Sequence, residues 1–307
     1  MKGMDITARS HEGTFPQLDG VEHRYVELPG LRMRVAEAGR GDPVLLLHGF
    51  PEHWWEWRHV IGGLARHHRV ICPDLRGAGW TDAPPDGYSS GPLLADVTHL
   101  LDALGLDRVH LIAHDWSAIV GFQLCLGHPD RVRDYLVLGG PHPYVRFNVR
   151  LLSVMPKLWF QWVIATPGLG PRLLGRGRQR LARHLLTGYA ATPDAFTEAD
   201  IALFLAPLRD PARARAAGKL YRGLILPEAR RFMSGAYRDT RLSTRTRILA
   251  GAADPVADQA TTALLMAGYE DYTDDLTIEF VGGAGHFLAD DRPDVVVAKA
   301  LELFATP

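Results

Sequence analysis

Cysteine is scarce in this chain: there are two among 307 residues, Cys72 and Cys125, each inside an apolar segment. Two thiols cannot brace a chain this long with disulfides, so stability has to come from a buried core, and a reducing cytoplasm is the expected home. Net charge is nearly absent as well, with 34 Lys and Arg against 35 Asp and Glu, which removes the general electrostatic reason to expect a nucleic-acid partner. No apolar run approaches the roughly 18 residues that cross a bilayer, and residues 1–20 are polar, without the apolar centre of a signal segment. A soluble protein with no membrane partner is expected. Internal repeats and low-complexity tracts are missing too. What is present is 47% apolar residues, enough for a large core, and a single α/β domain carrying an insertion fits this length as well as two domains.

Strand-length apolar segments alternate with helical periodicity along most of the chain. Residues 23–28 and 31–37 flank Pro29-Gly30, and the alternation in Leu31-Arg32-Met33-Arg34-Val35 marks a strand with one solvated face, suited to an antiparallel sheet edge. Pro43-Val44-Leu45-Leu46-Leu47 is apolar throughout, as suits a strand covered on both faces. A Trp-rich helix is expected over 54–66 and a short strand over 69–72, ended by the Gly-rich turn Pro73-Asp74-Leu75-Arg76-Gly77-Ala78-Gly79-Trp80. A helix over 92–104 and strands over 134–138, 247–251 and 276–281 complete the pattern. Such alternation predicts βαβ units with right-handed crossovers in a mostly parallel sheet, and ligands beyond the carboxyl ends of its strands.

Between 145 and 242 the periodicity is helical, broken at Pro156, Pro167-Gly168, Pro193, Pro207 and Pro211. This segment holds 17 Lys and Arg against 6 Asp and Glu. The expected organisation is a core domain from 1–144 and 243–307 with a helical cap inserted at 145–242, its charge read as a solvated basic surface facing an acidic core.

The sharpest feature is Val109-His110-Leu111-Ile112-Ala113-His114-Asp115-Trp116-Ser117-Ala118. An apolar strand climbs to Ala113, the chain turns through small residues, and helical periodicity follows over 119–126, which is the shape of a nucleophile elbow with Asp115 at its apex. Ser117 has Asp115 and Ile119 two residues away on either side, neither of them small, and takes a spacer role. Asp254 follows the 247–251 strand and heads an expected helix at Asp254-Pro255-Val256. His286 lies in the Gly-rich turn Gly282-Gly283-Ala284-Gly285-His286-Phe287 after the 276–281 strand. Asp115, Asp254 and His286 thus all fall just past strand ends, on one rim of the sheet. Helix capping is the bland alternative for Asp254, and a turn role for His286. Asp258, inside the expected helix, is a poor candidate for the acid. His48 and His114 suit structural hydrogen bonding, and Asp74, Arg76 and Trp80 a structural turn.

The order of elbow, later acid and late histidine, with His48-Gly49-Phe50-Pro51-Glu52 after an earlier strand, resembles the α/β-hydrolase fold over nearly the whole chain. An aspartate in His114-Asp115-Trp116 looks like the epoxide hydrolase branch, and haloalkane dehalogenases share it. The resemblance implies an epoxide hydrolase that needs no cofactor or metal. Asp115 attacks an sp³ carbon to form an alkyl ester, and His286, oriented by Asp254, activates the water that opens it. It places the oxyanion donors at the N–H groups of Phe50 and Trp116, with a cis peptide expected at Phe50-Pro51. Water and a small apolar epoxide are the implied partners. A homodimer stays open.

The same resemblance calls for two cap tyrosines opposite the nucleophile, to protonate the alkoxide. Lys219-Leu220-Tyr221-Arg222 matches the second. Phe160, within Leu158-Trp159-Phe160-Gln161-Trp162, stands where the first belongs, so the indole N–H of Trp159 or Trp162, with Trp159 favoured, is expected to supply a hydrogen bond in its place, although an indole cannot deliver a proton. A dehalogenase would use Trp116 and Trp159 to hold halide, but the position after His48-Gly49 is phenylalanine rather than asparagine. The arginines of a fluoroacetate-type dehalogenase are absent after Asp115. A non-catalytic ligand-binding member of the fold would be expected to lose one of the triad, and all three positions are filled.

Overall fold

The computed structural model describes residues 15–149, 151–192 and 194–305. Most of residues 1–20, together with Pro193 and the last two positions of the core segment, lie outside them. Eight strands form one sheet in the order β1-β2-β4-β3-β5-β6-β7-β8. β1 (Glu22–Leu28) and β2 (Leu31–Ala38) make the antiparallel hairpin at one edge, and β2 runs antiparallel to β4 (Arg69–Pro73). β4, β3 (Pro43–Leu47), β5 (Val109–His114), β6 (Val132–Leu138), β7 (Arg245–Gly251) and β8 (Leu276–Val281) run parallel to one another.

The continuous apolar runs arise because both faces of the sheet are covered. Side chains of a strand point alternately to opposite faces, so Leu45, Leu47, Leu111 and Ala113 join one buried cluster while Val44, Leu46 and Ile112 join the other. Each Leu, Ile or Val among them, fully removed from water, contributes about 1.5–3 kcal/mol before the entropy of ordering it.

α2 (Ser90–Ala103) and α3 (Ser117–Gly127) lie on the first face. The second is packed by Trp54, Trp57 and α13 (Pro293–Phe304), with α12 (Leu288–Asp291) just before it. The helix expected over 54–66 is not continuous. Trp54–His59 is a 3-10 turn and α1 (Ile61–Leu64) a single α turn. The entry is capped by His53 and held by an Asp74 carboxylate accepting the Trp54 N–H at 2.9 Å, and Gly62 and Gly63 weaken the rest.

Between β6 and β7 the described chain adds no strand to the sheet and contains α4 (Leu151–Val154), α5 (Trp159–Ala165), α6 (Leu169–Gly175), α7 (Arg180–Tyr189), α8 (Glu198–Leu205), α9 (Pro211–Leu220) and α10 (Leu226–Ser234). The prolines that break the periodicity also start elements: Asp210 caps α9 with Pro211 at its first position, and Pro207 opens a 3-10 turn. α9 and α10 are joined by a π-helical segment, Tyr221–Ile225. Among the described residues no helix is long and apolar enough to cross a membrane.

Candidate active site

Asp115 sits one residue past β5 with φ 54, a left-handed backbone that a non-glycine residue adopts at a cost. Its N–H is held by the Leu138 carbonyl at the end of β6, and α3 starts two residues later. Ser117 is more than a spacer, which corrects the sequence reading. It is fully buried, donates toward the Leu47 and His114 carbonyls at 2.8 Å each, and accepts the His114 N–H at 3.2 Å, which ties the elbow to the end of β3. Gly49 is required by close approach, since a β-carbon there would lie 2.6 Å from His114 Nδ1 and 3.0 Å from the Asp115 β-carbon. The next residue, Phe50, donates its N–H to Asp115 Oδ2 at 3.1 Å, and the Phe50-Pro51 peptide is cis. Trp116 is the N-cap of α3, so its N–H belongs to the helix-end donors that no earlier turn accepts.

His286 faces Asp115, with Nε2 3.8 Å from Asp115 Oδ1, and its Nδ1 lies 3.2 Å from Asp254 Oδ2. Burial disfavours the imidazolium, but the hydrogen bond and charge of Asp254 outweigh it and raise the His286 pKa above the usual imidazole value. Burial likewise works against the Asp254 carboxylate, and His286 together with the Val256 N–H overrides it and holds the pKa low. Asp254 does not open a helix. Its Oδ1 accepts the Val256 N–H at 2.8 Å in a local turn, and α11 (Gln259–Leu265) begins only after Asp258, which is its N-cap rather than an interior residue. The His286 loop is fixed by its own N–H donating to the Tyr189 carbonyl at 2.8 Å and by the Gly285 N–H donating to Asp291.

Beneath the elbow lie Glu52, Glu56 and His114, all buried. His114 Nδ1 is 3.0 Å from Glu56 Oε1 and 3.3 Å from Glu52 Oε2, and its Nε2 lies 3.0 Å from the His286 carbonyl, which can only accept. Glu56 Oε2 accepts the Gly49 N–H at 2.8 Å. Desolvation lowers the His114 pKa, yet the two carboxyls overcome it and raise it well above the ordinary value, so the ring carries both protons. Burial, then the neighbouring Glu56 charge, raises the Glu52 pKa, which keeps that carboxyl protonated and the cluster close to neutral. Among the described residues these three are the group whose donor atoms, within 4.8 Å of one another, could hold a metal ion. Protons already neutralise them, and their contacts secure the Phe50 and His286 loops. His48 is structural as well, its Nε2 accepting the Leu75 N–H at 2.9 Å.

A cavity of about 350 Å³ opens over Asp115, of the size that takes a small organic ligand. Its walls include His286, Tyr221, Tyr189, Phe50 and Phe160. Tyr221 is buried, meets Phe50 edge to face at 5.4 Å between ring centres, and starts the π segment. Gly223 seats that segment on the core, because a β-carbon there would come within 2.4 Å of the Tyr88 carbonyl oxygen. Burial, followed by the Asp115 charge and then Tyr189, raises the Tyr221 pKa well above 10.

Trp159 does not line this cavity. It is 45% exposed, because on α5 the inward position belongs to Phe160 and the neighbouring residue is rotated by about 100°. The halide pair of Trp116 and Trp159 is therefore not assembled either. A second phenol is present where sequence reasoning did not look. Tyr189, the last residue of α7, lines the cavity, packs edge to face on Phe160 at 5.6 Å, and its hydroxyl donates to the Lys157 carbonyl at 3.0 Å. Nothing in its local sequence distinguishes it from an ordinary helix-end tyrosine.

The alpha/beta hydrolase fold family matches residues 42–293. A soluble epoxide hydrolase of Corynebacterium is 28% identical over 298 residues, covering 93% of this chain and 98% of the relative. Epoxide hydrolase 2 of Siraitia grosvenorii is 42% identical over 137 residues, a match that covers 42% of this chain and only 43% of that relative's length. Among solved structures, an epoxide hydrolase without ligand superposes with a TM-score of 0.80 at 26% identity, covering 93% of this chain and 99% of the other. With most of its length accounted for and Asp115 at the apex of its elbow, the chain belongs to the α/β-hydrolase fold family.

Proposed function

We infer that the protein is an epoxide hydrolase that converts an epoxide and water to a vicinal diol through an ester on Asp115. The observation that carries this reading is the meeting of three groups in one cavity: the Asp115 carboxylate, His286 Nε2 at 3.8 Å from it, and the Tyr221 phenol. A carboxylate oxygen of Asp115 attacks an epoxide carbon, the C–O bond of the ring breaks, and the oxygen leaving as alkoxide takes the Tyr221 proton. Tyr189, on the neighbouring wall beside Phe160, can support the same oxygen only by turning its hydroxyl away from the Lys157 carbonyl, to which it donates in the resting site. His286, neutral and oriented by Asp254, then takes a proton from water as the water oxygen adds to the carboxyl carbon. The oxyanion is held by the Phe50 and Trp116 N–H groups. Collapse expels the diol, which takes the proton from His286, and the new carboxylic acid of Asp115 returns a proton to Tyr221 through solvent. The helical segment 145–242 acts as the cap that excludes water from the alkylation step.

The charge change along this path favours it. In the resting site the Asp115 charge is one of the causes that keep Tyr221 protonated. Ester formation removes that charge, so the phenol becomes more acidic as the alkoxide needs its proton.

The test divides the two half-reactions. With styrene oxide and related epoxides beside alkyl bromides, the wild type turns over the epoxides. His286→Gln accumulates a covalent adduct on the peptide containing Asp115, read as a mass increase. In oxygen-18 water the wild type transfers label to that peptide, and the first-turnover diol carries none. A folded His286→Gln protein without adduct, or label in the first-turnover diol, means that water attacks the substrate directly.

A further inference from the structure

We propose that the outer face of α4, α5 and α6 docks the protein on anionic lipid bilayers. Eight of the eleven large apolar side chains exposed among the described residues lie between 147 and 173, so the exposure is concentrated rather than scattered. Leu152, Met155, Trp159 and Trp162 recur at steps of three, four and three residues, which puts them on one stripe of consecutive helical turns. Leu169 and Leu173 extend it along α6, which packs on α5. The residues one step away in sequence, Leu151, Val154, Leu158 and Gln161, line the cavity. The same helices therefore show one stripe to the cavity and an adjacent apolar stripe to the outside.

Charge selects the occupant. Residues 145–192 contain eight Lys and Arg and no Asp or Glu. Elsewhere in the insertion basic groups do meet the core, as Lys219 meets Asp86 and Arg213 meets the Gly79 and Thr81 carbonyls. Around the stripe Arg146, Lys157 and Arg183 also have partners, in Asp271, the Pro255 carbonyl and Glu198, whereas Arg172 and Arg176 are exposed and have no acidic partner among the described residues. A two-fold contact between copies would bring this basic face against itself, which disfavours a second copy as the occupant. Exposed tryptophan and leucine on short helices that also carry the exposed Arg172 match what an interfacial element offers to acyl chains and anionic headgroups together.

The test measures vesicle binding, which is independent of turnover and so separates this proposal from the epoxide reading. Wild-type protein is floated with phosphatidylcholine vesicles with and without phosphatidylserine. The double variant Trp162→Glu with Leu173→Glu, both at exposed positions, is run alongside, its fold checked by circular dichroism and its basal activity in vesicle-free buffer. Binding is expected only with phosphatidylserine, weakening as salt rises, and the variant is expected to lose about tenfold or more of it through lost apolar burial and added repulsion. No flotation with either composition overturns the proposal, as does equal flotation of the folded variant. A salt-insensitive dimer that forms in solution and is abolished by the same substitutions also overturns it, and assigns the face to a second copy.

Discussion

Tyr221 illustrates how much a single residue's role depends on its surroundings. Its raised pKa makes it a reluctant acid at rest, from burial first and the Asp115 charge second. On the proposed path its usefulness comes from the loss of that charge as the ester forms. Replacing it by phenylalanine should slow epoxide alkylation by roughly 10²-fold or more, the ordinary scale of general acid catalysis, with an unchanged fold. Stopped-flow quenching of the tryptophan fluorescence on mixing with epoxide measures that rate, and an unaltered rate would move the donor role to Tyr189. The acid side of the pH profile belongs to His286. Its folded pKa is raised, the neutral ring is the working form, and so turnover should fall as pH drops through a value above the ordinary 6.5. Asp254→Asn removes the carboxylate behind the largest effects that raise it and leaves the smaller one of Asp115. The acid limb of kcat should then shift to lower pH while the rate on the plateau falls, and a limb that stays in place would detach Asp254 from the base. At this scale the sequence yielded residue identities but not directions. Trp159 and Phe160 are adjacent, and spacing alone cannot say which of two neighbours on a helix faces inward.

At the scale of elements, the strands were legible because burial on both faces leaves unbroken apolar runs, and their parallel arrangement put Asp115, Asp254 and His286 on one rim. What was not legible came from contacts distant in sequence. The 54–66 segment has helical composition, yet Asp74, some twenty residues away, takes the Trp54 N–H and sets a 3-10 turn. The turn at Asp254 is stabilised by its own Val256 N–H, so the helix waits for Asp258. The Glu52, Glu56 and His114 cluster joins three loops in the same long-range way, and its protonation makes a prediction. Glu52 and His114 both have folded pKa values raised above their unfolded ones. The folded state therefore binds more protons, and the stability this gives, full below the unfolded pKa values, is lost as pH rises through the folded ones. Thermal unfolding should show Tm falling on the alkaline side. Glu52→Gln, which keeps the shape of a protonated carboxyl, should flatten that fall. An alkaline decline as steep as that of the wild type would show that the cluster does not govern it.

For the whole molecule, the sheet supplies the rim and the 145–242 insertion lies over it, tied to the core at several points such as Trp55 to Asp200, Ser90 to Glu228 and Arg213 to the Gly79 carbonyl, and one of these ties runs through the loop of His286. Asp291 accepts the Gly285 N–H from the base loop and the Ala191 and Thr192 N–H groups from the segment after α7, while His286 itself donates to the Tyr189 carbonyl. That tie couples the insertion to the proposed base: displacing the end of α7 draws on the His286 N–H, and on the proposed path a molecule in which His286 is drawn away from Asp115 would still alkylate but would stall as the ester.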